Sequence, residues 1–394
     1  MNSLVEPGAF LLAPGLTYLN HGSFGACPRT VLRAQSRLRA RMERNPARFL
    51  SRDLPALLES ARREVAAFVG ARPGNLVFVR NATTGVNAVL RSQKFRRGDE
   101  LLLTDHAYPA CRNAATHVAR LTGAKIRQAR IPFPLHHPEQ ALEAILAAAG
   151  PRTRLALVDH VTSPTALVLP IGEIIRALAE RGIETLVDGA HAPGMLDLRL
   201  EDLGAAYYTG NLHKWCCAPK GAAFLWVRED RQTNIDPAVI SLGYGRPANP
   251  FQGAFDWTGT DDPTPWLAAP PAIRWVEGLT PGGWPEVRRH CRELARVGAR
   301  LLARTLQQEA AVPDTLLGCM AALPLPDGTT VPPTPATEID PLQARLYRHD
   351  RIEVPVISWP APPKRLLRIS AMVYNQSTDY VRLAGALQRE FNLR

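Results

Sequence analysis

The stretch from Ile183 to Gly221, IETLVDGAHAPGMLDLRLEDLGAAYYTGNLHKWCCAPKG, concentrates reactive residue types at the ends of two apolar runs. Ile183 to Val187 runs out into Asp188, and His191 follows three positions on. Ala205 to Tyr208 leads into Thr209-Gly210-Asn211-Leu212-His213-Lys214. A lysine amine attacks an aldehyde, forming a Schiff base, once burial lowers its pKa and strips its proton. A carboxylate facing a pyridine nitrogen keeps that nitrogen protonated, and the ring then draws electrons from a substrate α-carbon. Lys214 and Asp188 suit these two roles, and the ring they suit is that of pyridoxal 5'-phosphate. The chain has only Lys94, Lys125, Lys214, Lys220 and Lys364 and otherwise meets its cationic needs with arginine. A lysine kept at the end of an apolar strand therefore points to amine chemistry that arginine does not perform.

Positioning such residues requires a sheet whose strand ends converge, as in open α/β folds. Leu76 to Val79 reads as a strand that passes through Arg80-Asn81-Ala82-Thr83-Thr84-Gly85 into a helix carrying Val86, Val89 and Leu90. A strand, a small polar turn and a helix N-terminus present free N–H groups and a positive helix end to an anion such as phosphate. The glycines of the Walker and dinucleotide-binding patterns are absent there. Leu101 to Thr104 ends in Asp105-His106-Ala107-Tyr108, where an aromatic ring can stack on a planar cofactor. Leu155 to Asp159 exits into His160-Val161-Thr162-Ser163-Pro164. Strands alternating with helices predict a mainly parallel sheet with both faces covered. Downstream, a helix is expected from about Trp266 to Leu279, a long amphipathic helix from Trp284 to Gln308, and strands at Leu316 to Pro324 and Leu366 to Ser370. Residues 325 to 364, rich in proline, read as irregular structure with a helix near Pro341 to His349.

At these residues the chain resembles a known family. Asp188-Gly189-Ala190-His191 and Asn211-Leu212-His213-Lys214 are similar to the two cofactor motifs of the class V aminotransferases, which are fold type I pyridoxal phosphate enzymes, and most of all to their isopenicillin N epimerase-like branch. The resemblance runs from Tyr18-Leu19-Asn20-His21-Gly22 to Arg368-Ile369-Ser370-Ala371. It implies an N-terminal segment, 1–27, lying over the active site, a large cofactor-binding domain, 28–270, and a smaller C-terminal α+β domain, 271–394. By motif position, Lys214 carries the cofactor and Asp188 pairs with its pyridinium, while His191 reaches its phenolic oxygen or assists Asp188. Ala82, Thr83, Asn211 and His213 form the phosphate side. His106 matches the stacking residue of the desulfurase relatives, with Tyr108 the competing candidate. Ser163 reaches the phenolic oxygen or the substrate, Asn20 and His21 lie near the substrate, and Arg368 clamps its α-carboxylate. Thr260, in Thr258-Gly259-Thr260, reaches the neighbouring subunit's cofactor phosphate, which implies a homodimer with shared sites.

The resemblance leaves the reaction open among epimerisation or racemisation, elimination at a carbon–sulfur bond, transamination, and cofactor binding without turnover. Desulfurases carry a nucleophilic cysteine ahead of the C-terminal arginine, but Arg345 to Ile357 (RLYRHDRIEVPVI) has none. An epimerase needs an acid on each face of the α-carbon. Lys214 serves one face, and His21, Tyr108 and Arg348-His349 are the candidates for the other.

The totals narrow the class further. A hydrophobic content of 46% with 21% charged residues is that of a globular protein. The net charge of +11 is spread along the chain without a basic block, which argues against nucleic-acid binding. The six cysteines have neither metal-ligand nor disulfide-framework spacing, so no metal site is expected. With no basic leader and no apolar run of membrane length, the expected compartment is the cytoplasm, with no membrane partner.

Overall fold

Short apolar runs alternate between the two faces of a sheet, and each face meets its own helices. The computed structural model of the chain describes residues 1–6, 8–245, 249–309, 312–328 and 339–393. In chain order its strands are β1 (Thr17–Tyr18), β2 (Leu76–Val79), β3 (Glu100–Thr104), β4 (Lys125–Ala129), β5 (Thr153–Asp159), β6 (Glu184–Asp188), β7 (Tyr207–Asn211), β8 (Ala223–Val227), β9 (Met320–Leu325), β10 (Ile352–Glu353), β11 (Val356–Ser358) and β12 (Arg365–Ser370). Seven of them form the main sheet in the order β2-β8-β7-β6-β5-β3-β4. Neighbours are parallel except at β8, which runs antiparallel to both β2 and β7.

The period of two is visible in the core. Phe78, Leu102, Val158, Val187, Tyr208 and Phe224 face one side, where helices Leu54–Phe68 and Ile171–Ala179 bring Val65, Ile174 and Leu178. Val77, Leu103, Leu157, Leu186, Tyr207 and Leu225 face the other, against Val86 and Val89 of helix Ala82–Ser92 and Val118 of helix Pro109–Thr122. Strands covered on both faces are buried along their length, as the inner strands β7 and β8 are, and as β2 is even at one edge of the sheet. β4, at the other edge, carries exposed Lys125 and Gln128, a polar edge that discourages further pairing.

A second sheet, β11-β12-β9, is antiparallel and packs on helices Gly283–Thr305 and Ser377–Phe391. The stretch expected as one helix over 266–279 is two, Thr264–Leu267 and Ala269–Glu277. Within 325–364 lie helix Pro341–Asp350 and the short strands β10 and β11, and residues 329–338 are outside the described part. Among the described residues no helix is long and apolar enough to cross a membrane.

The N-terminal segment ties the two sheets together. β1 pairs in parallel with β10, and the Leu19 carbonyl accepts the Ser370 N–H at 3.0 Å. The chain then turns through residues 20–25 onto the backbone of Lys214. A Cβ on Gly25 would stand 2.4 Å from the His213 carbonyl oxygen and 2.8 Å from the Lys214 Cα, so only glycine permits this approach. Gly25→Ala is expected to cost about 1–3 kcal/mol, as other overpacking substitutions do. A lowered midpoint of urea unfolding checks this, and an unchanged midpoint would contradict the packing.

Candidate active site

Because six strands of the main sheet run the same way, the ends of β3, β5, β6 and β7 open along one edge. There lies a cavity of about 870 Å³. Lys214 reaches it from a tightly anchored turn beyond β7. Leu212 and His213 both donate their N–H groups to the Ala222 carbonyl, at 3.0 and 3.1 Å, and Trp215, Cys216 and Cys217 are fully buried behind them. From the other side, His21 Nε2 lies 3.0 Å from the Lys214 carbonyl oxygen. With its backbone so fixed, the Lys214 Nζ sits 3.1 Å from His191 Nε2. Burial, and next the Arg368 charge, lower the Lys214 pKa from 10.5 to about 7, against a smaller opposing pull from Asp188. His191 is neutral, its pKa pushed well down by burial and then by Lys214, and its buried Nδ1 has no partner among the described residues.

Asp188 ends β6. Its Oδ1 accepts the Ala190 N–H at 3.0 Å and its Oδ2 accepts the Cys111 thiol at 3.1 Å. Cys111 lies in the first turn of helix Pro109–Thr122, and burial followed by Asp188 pushes its pKa well up, so it stays a donor. Asp159, at the end of β5, is in register with Asp188. Burial first and Asp188 second raise its pKa well above the usual carboxylate range.

At the end of β2 the Asn81 side chain caps helix Ala82–Ser92 by accepting the Thr84 N–H at 2.8 Å. Asn211 Oδ1 accepts the Ala82 N–H at 2.8 Å. Among the described residues the Thr83 N–H and hydroxyl have no protein partner, and they sit at a positive helix end, which is a ready anion site. His213 engages the Ala222 carbonyl through Nδ1 at 3.0 Å, and burial lowers its pKa to about 4. From the second sheet β12 delivers Arg368, which is 2% exposed. Its Nη1 donates to the Ser163 carbonyl and Oγ at 2.5 and 3.1 Å, and its Nη2 donates to Ser23 Oγ at 2.5 Å. Its Nε is buried without a partner among the described residues. Burial lowers its pKa only to about 10, so it remains charged at neutral pH with no carboxylate beside it among the described residues. A buried cation without a counter-ion is costly, and an arriving carboxylate would remove that cost.

The cavity brings together Lys214, Asp188, His191, Asn211, His213, Ala82, Thr83, Tyr108, Ser163 and Arg368. Of the residues marked in the sequence, His106, His21, Asn20, Thr260, Arg348 and His349 do not line it. His106 is fully buried, with Nδ1 2.6 Å from Thr165 Oγ1 and Nε2 3.0 Å from the Ile131 carbonyl, and its ring packs on Trp359. That corrects its reading as a stacking ring, and Tyr108 is the aromatic residue at this strand end that faces the cavity. His21 is also enclosed, spanning the Tyr374 hydroxyl (2.8 Å) and the Lys214 carbonyl, and burial lowers its pKa to about 3. It braces the lysine backbone and does not line the cavity. Asn20 is buried, and the lining at this turn comes from Gly22, Ser23 and Phe24. Thr260 is exposed on a loop that does not line this chain's own cavity. Of the candidates for a second acid only Tyr108 lines the cavity, since Arg348 and His349 are exposed on helix Pro341–Asp350.

Asp159 and Cys111 were missed. Asp159 had a signal, since it ends LALVD as Asp188 ends ETLVD. Cys111 had none, because only packing brings its helix over β6.

Residues 18–255 match the family profile described as aminotransferase class-V. The chain belongs to the class-V aminotransferase family. It is 40% identical to an isopenicillin N epimerase from Amycolatopsis lactamdurans, over 96% of each chain, and 37% identical to one from Streptomyces clavuligerus, over the same share of each. A probable chloroplastic L-cysteine desulfhydrase from Arabidopsis thaliana is 29% identical over 95% of this chain and 82% of its own. Among solved structures, a C-DES variant with glycine covalently linked to its PLP cofactor superposes with a TM-score of 0.78 at 21% identity, over 97% of this class-V chain and 99% of that one. Fold type I architecture is thereby shown.

The site predicts a pH profile. In cofactor-free protein, labelling of Lys214 by trinitrobenzenesulfonate, read by peptide mapping, should rise to half its maximum at a pH of about 7. Arg368→Gln removes a charge that holds the pKa down, so its midpoint should move upward. A wild-type midpoint near 10.5, the ordinary lysine value, would contradict the account.

Proposed function

We propose that this class-V chain is a pyridoxal 5'-phosphate-dependent epimerase of the isopenicillin N epimerase type, inverting the α-carbon of an amino acid. The observation that carries the reading is the desolvated Lys214 amine, 3.1 Å from His191, in a chain similar to isopenicillin N epimerases over nearly its full length.

The cofactor is pyridoxal 5'-phosphate, and the residues fit it. The free Thr83 N–H and hydroxyl at the helix N-terminus suit a phosphate, with Asn211 and His213 beside them. Asp188, held by the Ala190 N–H and the Cys111 thiol, suits a pyridinium. The unpartnered His191 Nδ1 suits a polar ring substituent. When bound through the Lys214 amine as a Schiff base, the cofactor supplies an electron sink for charge released at the α-carbon.

The chain's own residues supply the rest. Arg368, pre-set by Ser23 and Ser163, takes the substrate α-carboxylate and so decides which α-bond is aligned for cleavage. Lys214, with a pKa of about 7, is partly unprotonated at neutral pH and takes the α-proton as general base on its own face. Tyr108 lines the cavity with a phenol whose pKa burial raises, so it stays protonated and serves as stacking ring and acid on the other face. Thr260, exposed and away from its own chain's cavity, suits service to a partner's phosphate in a homodimer. All six cysteines are free thiols, in keeping with a cytoplasmic setting. None of them lines the cavity, so no nucleophilic thiol is at hand for persulfide formation.

A second reading, β-elimination from a sulfur amino acid, has support in the 29% identity to a cysteine desulfhydrase. NMR in heavy water with L- and D-amino acids, δ-linked peptides and cysteine derivatives separates the two. Deuterium entry with inversion and no keto acid is the expected result. Keto acid with loss of the β-sulfur fragment would install the lyase instead, and a coloured protein that exchanges nothing would leave only cofactor binding. Tyr108→Phe should keep α-deuterium exchange but lose inversion by about 100-fold or more, the usual worth of a positioned acid.

A further inference from the structure

The reaction as derived uses one acid of a buried pair and leaves the other, together with a buried thiol, without a task. Asp159 and Asp188 end neighbouring parallel strands and are partners in register, so their backbones stand about 4.8 Å apart. Both are buried, and both line the cavity. The period of two turns them to the same face as Leu157 and Leu186, which is the face that helix Pro109–Thr122 covers. Cys111 projects from that helix, buried behind the cavity wall. Among the described residues its thiol bonds Asp188, at 3.1 Å to Oδ2, and not Asp159.

Two carboxylates sharing a desolvated site resist double ionisation, and such a pair titrates as a unit. What matters to the site is which member holds the charge, since only Asp188 is placed for a ring nitrogen. The backbone does not choose. Asp188 accepts the Ala190 N–H, and Asp159 is met by backbone N–H groups, its own and that of Tyr108. The cations do not choose Asp188 either, because Arg112 acts on Asp159 and Lys214 is drawn by both acids. Arg368, from the second sheet, acts on Lys214 and Tyr108. The Tyr108 and Tyr208 phenols stay uncharged, their pKa values raised by burial. The thiol is therefore the contact that tells the two acids apart. A sulfhydryl is a weak donor. It favours the charged form of its acceptor without displacing a pyridinium, as a guanidinium or ammonium in the same place would.

We infer that Cys111 is a positioning residue, whose thiol holds the negative charge of the Asp159/Asp188 pair on Asp188. Asp159 is the competitor for that charge, and the S–H bond to Asp188 Oδ2 decides the competition. The thiol keeps its own proton and forms no covalent bond. Cys111 touches neither cofactor nor substrate and acts through Asp188 alone. The inference rests on the pairing of Asp188 with the cofactor's pyridine nitrogen proposed above, and it is independent of which reaction follows at the α-carbon.

The test reads the proton on the ring nitrogen, not turnover. Holoenzyme is loaded with pyridoxal 5'-phosphate labelled at that atom with a heavy nitrogen isotope, and solid-state NMR finds the pH at which half of it has lost its proton. A negative charge opposite the nitrogen raises that midpoint, so a charge moved to Asp159 lowers it. In Cys111→Ala the midpoint should fall by about one pH unit, tenfold in the proton equilibrium, the worth of a bond to a charged acceptor. Cys111→Val fills the space without a donor and should fall equally, which separates the lost bond from a packing defect. Asp159→Asn alone should keep the wild-type midpoint. Added to Cys111→Ala it should restore that midpoint, because no second carboxylate remains to take the charge. A wild-type midpoint in either donorless variant, or a fall that Asp159→Asn does not restore, would overturn the inference. Asp188→Asn should lower the midpoint further than any of these. A wild-type midpoint there would overturn the pairing on which the inference rests.

Discussion

Two positive groups share one desolvated cavity, and the arrangement of the site follows from that conflict. Arg368 keeps its charge even when buried, whereas a lysine amine beside it can shed its proton. The conflict is relieved by deprotonating Lys214, which is what an amine needs to react with a carbonyl. The surroundings share the bias. His191, His213 and His21 are all held neutral by burial, so they add no cations to the cavity floor. Asp159, in register with Asp188, has its pKa pushed up by burial and then by the Asp188 charge.

The fold exists to hold those groups at fixed separations. Lys214 is clamped from both sides, by the fully buried Trp215-Cys216-Cys217 run and by the Gly25 turn that lies on its backbone. Arg368 comes from the other sheet and is joined to the first by Ser163 and Ser23, one from a loop of the main sheet and one from the N-terminal turn. Three segments distant in the chain therefore meet where this guanidinium is fixed.

Much of this was legible in the sequence, for physical reasons. Strand-end residues follow apolar runs whose period and length announce them, and Asp188, Asn211 and Lys214 were readable on that ground. The helix N-terminus at Ala82-Thr83 was readable because a strand, a polar turn and a helix leave free N–H groups wherever they occur. What the sequence hid is side-chain direction after the strand ends. His106 and Tyr108 are two residues apart, and nothing local decides which ring faces the cavity. Thr165 and the Ile131 carbonyl, which capture His106, come from other loops. His21 was hidden likewise, since its partners Tyr374 and the Lys214 carbonyl are remote in the chain. Cys111 looked like core filling until helix packing set its sulfur against Asp188.

The central claim is that the Lys214 amine carries the cofactor, and the cavity offers a competitor in Lys220, which also lines it. Borohydride reduction of the coloured holoenzyme, followed by digestion and mass spectrometry, decides between them. The account predicts the pyridoxyl mass on the peptide containing Lys214 and on no other lysine, with no label in Lys214→Ala. Label on Lys220, or an unlabelled chain from a coloured preparation, would contradict it.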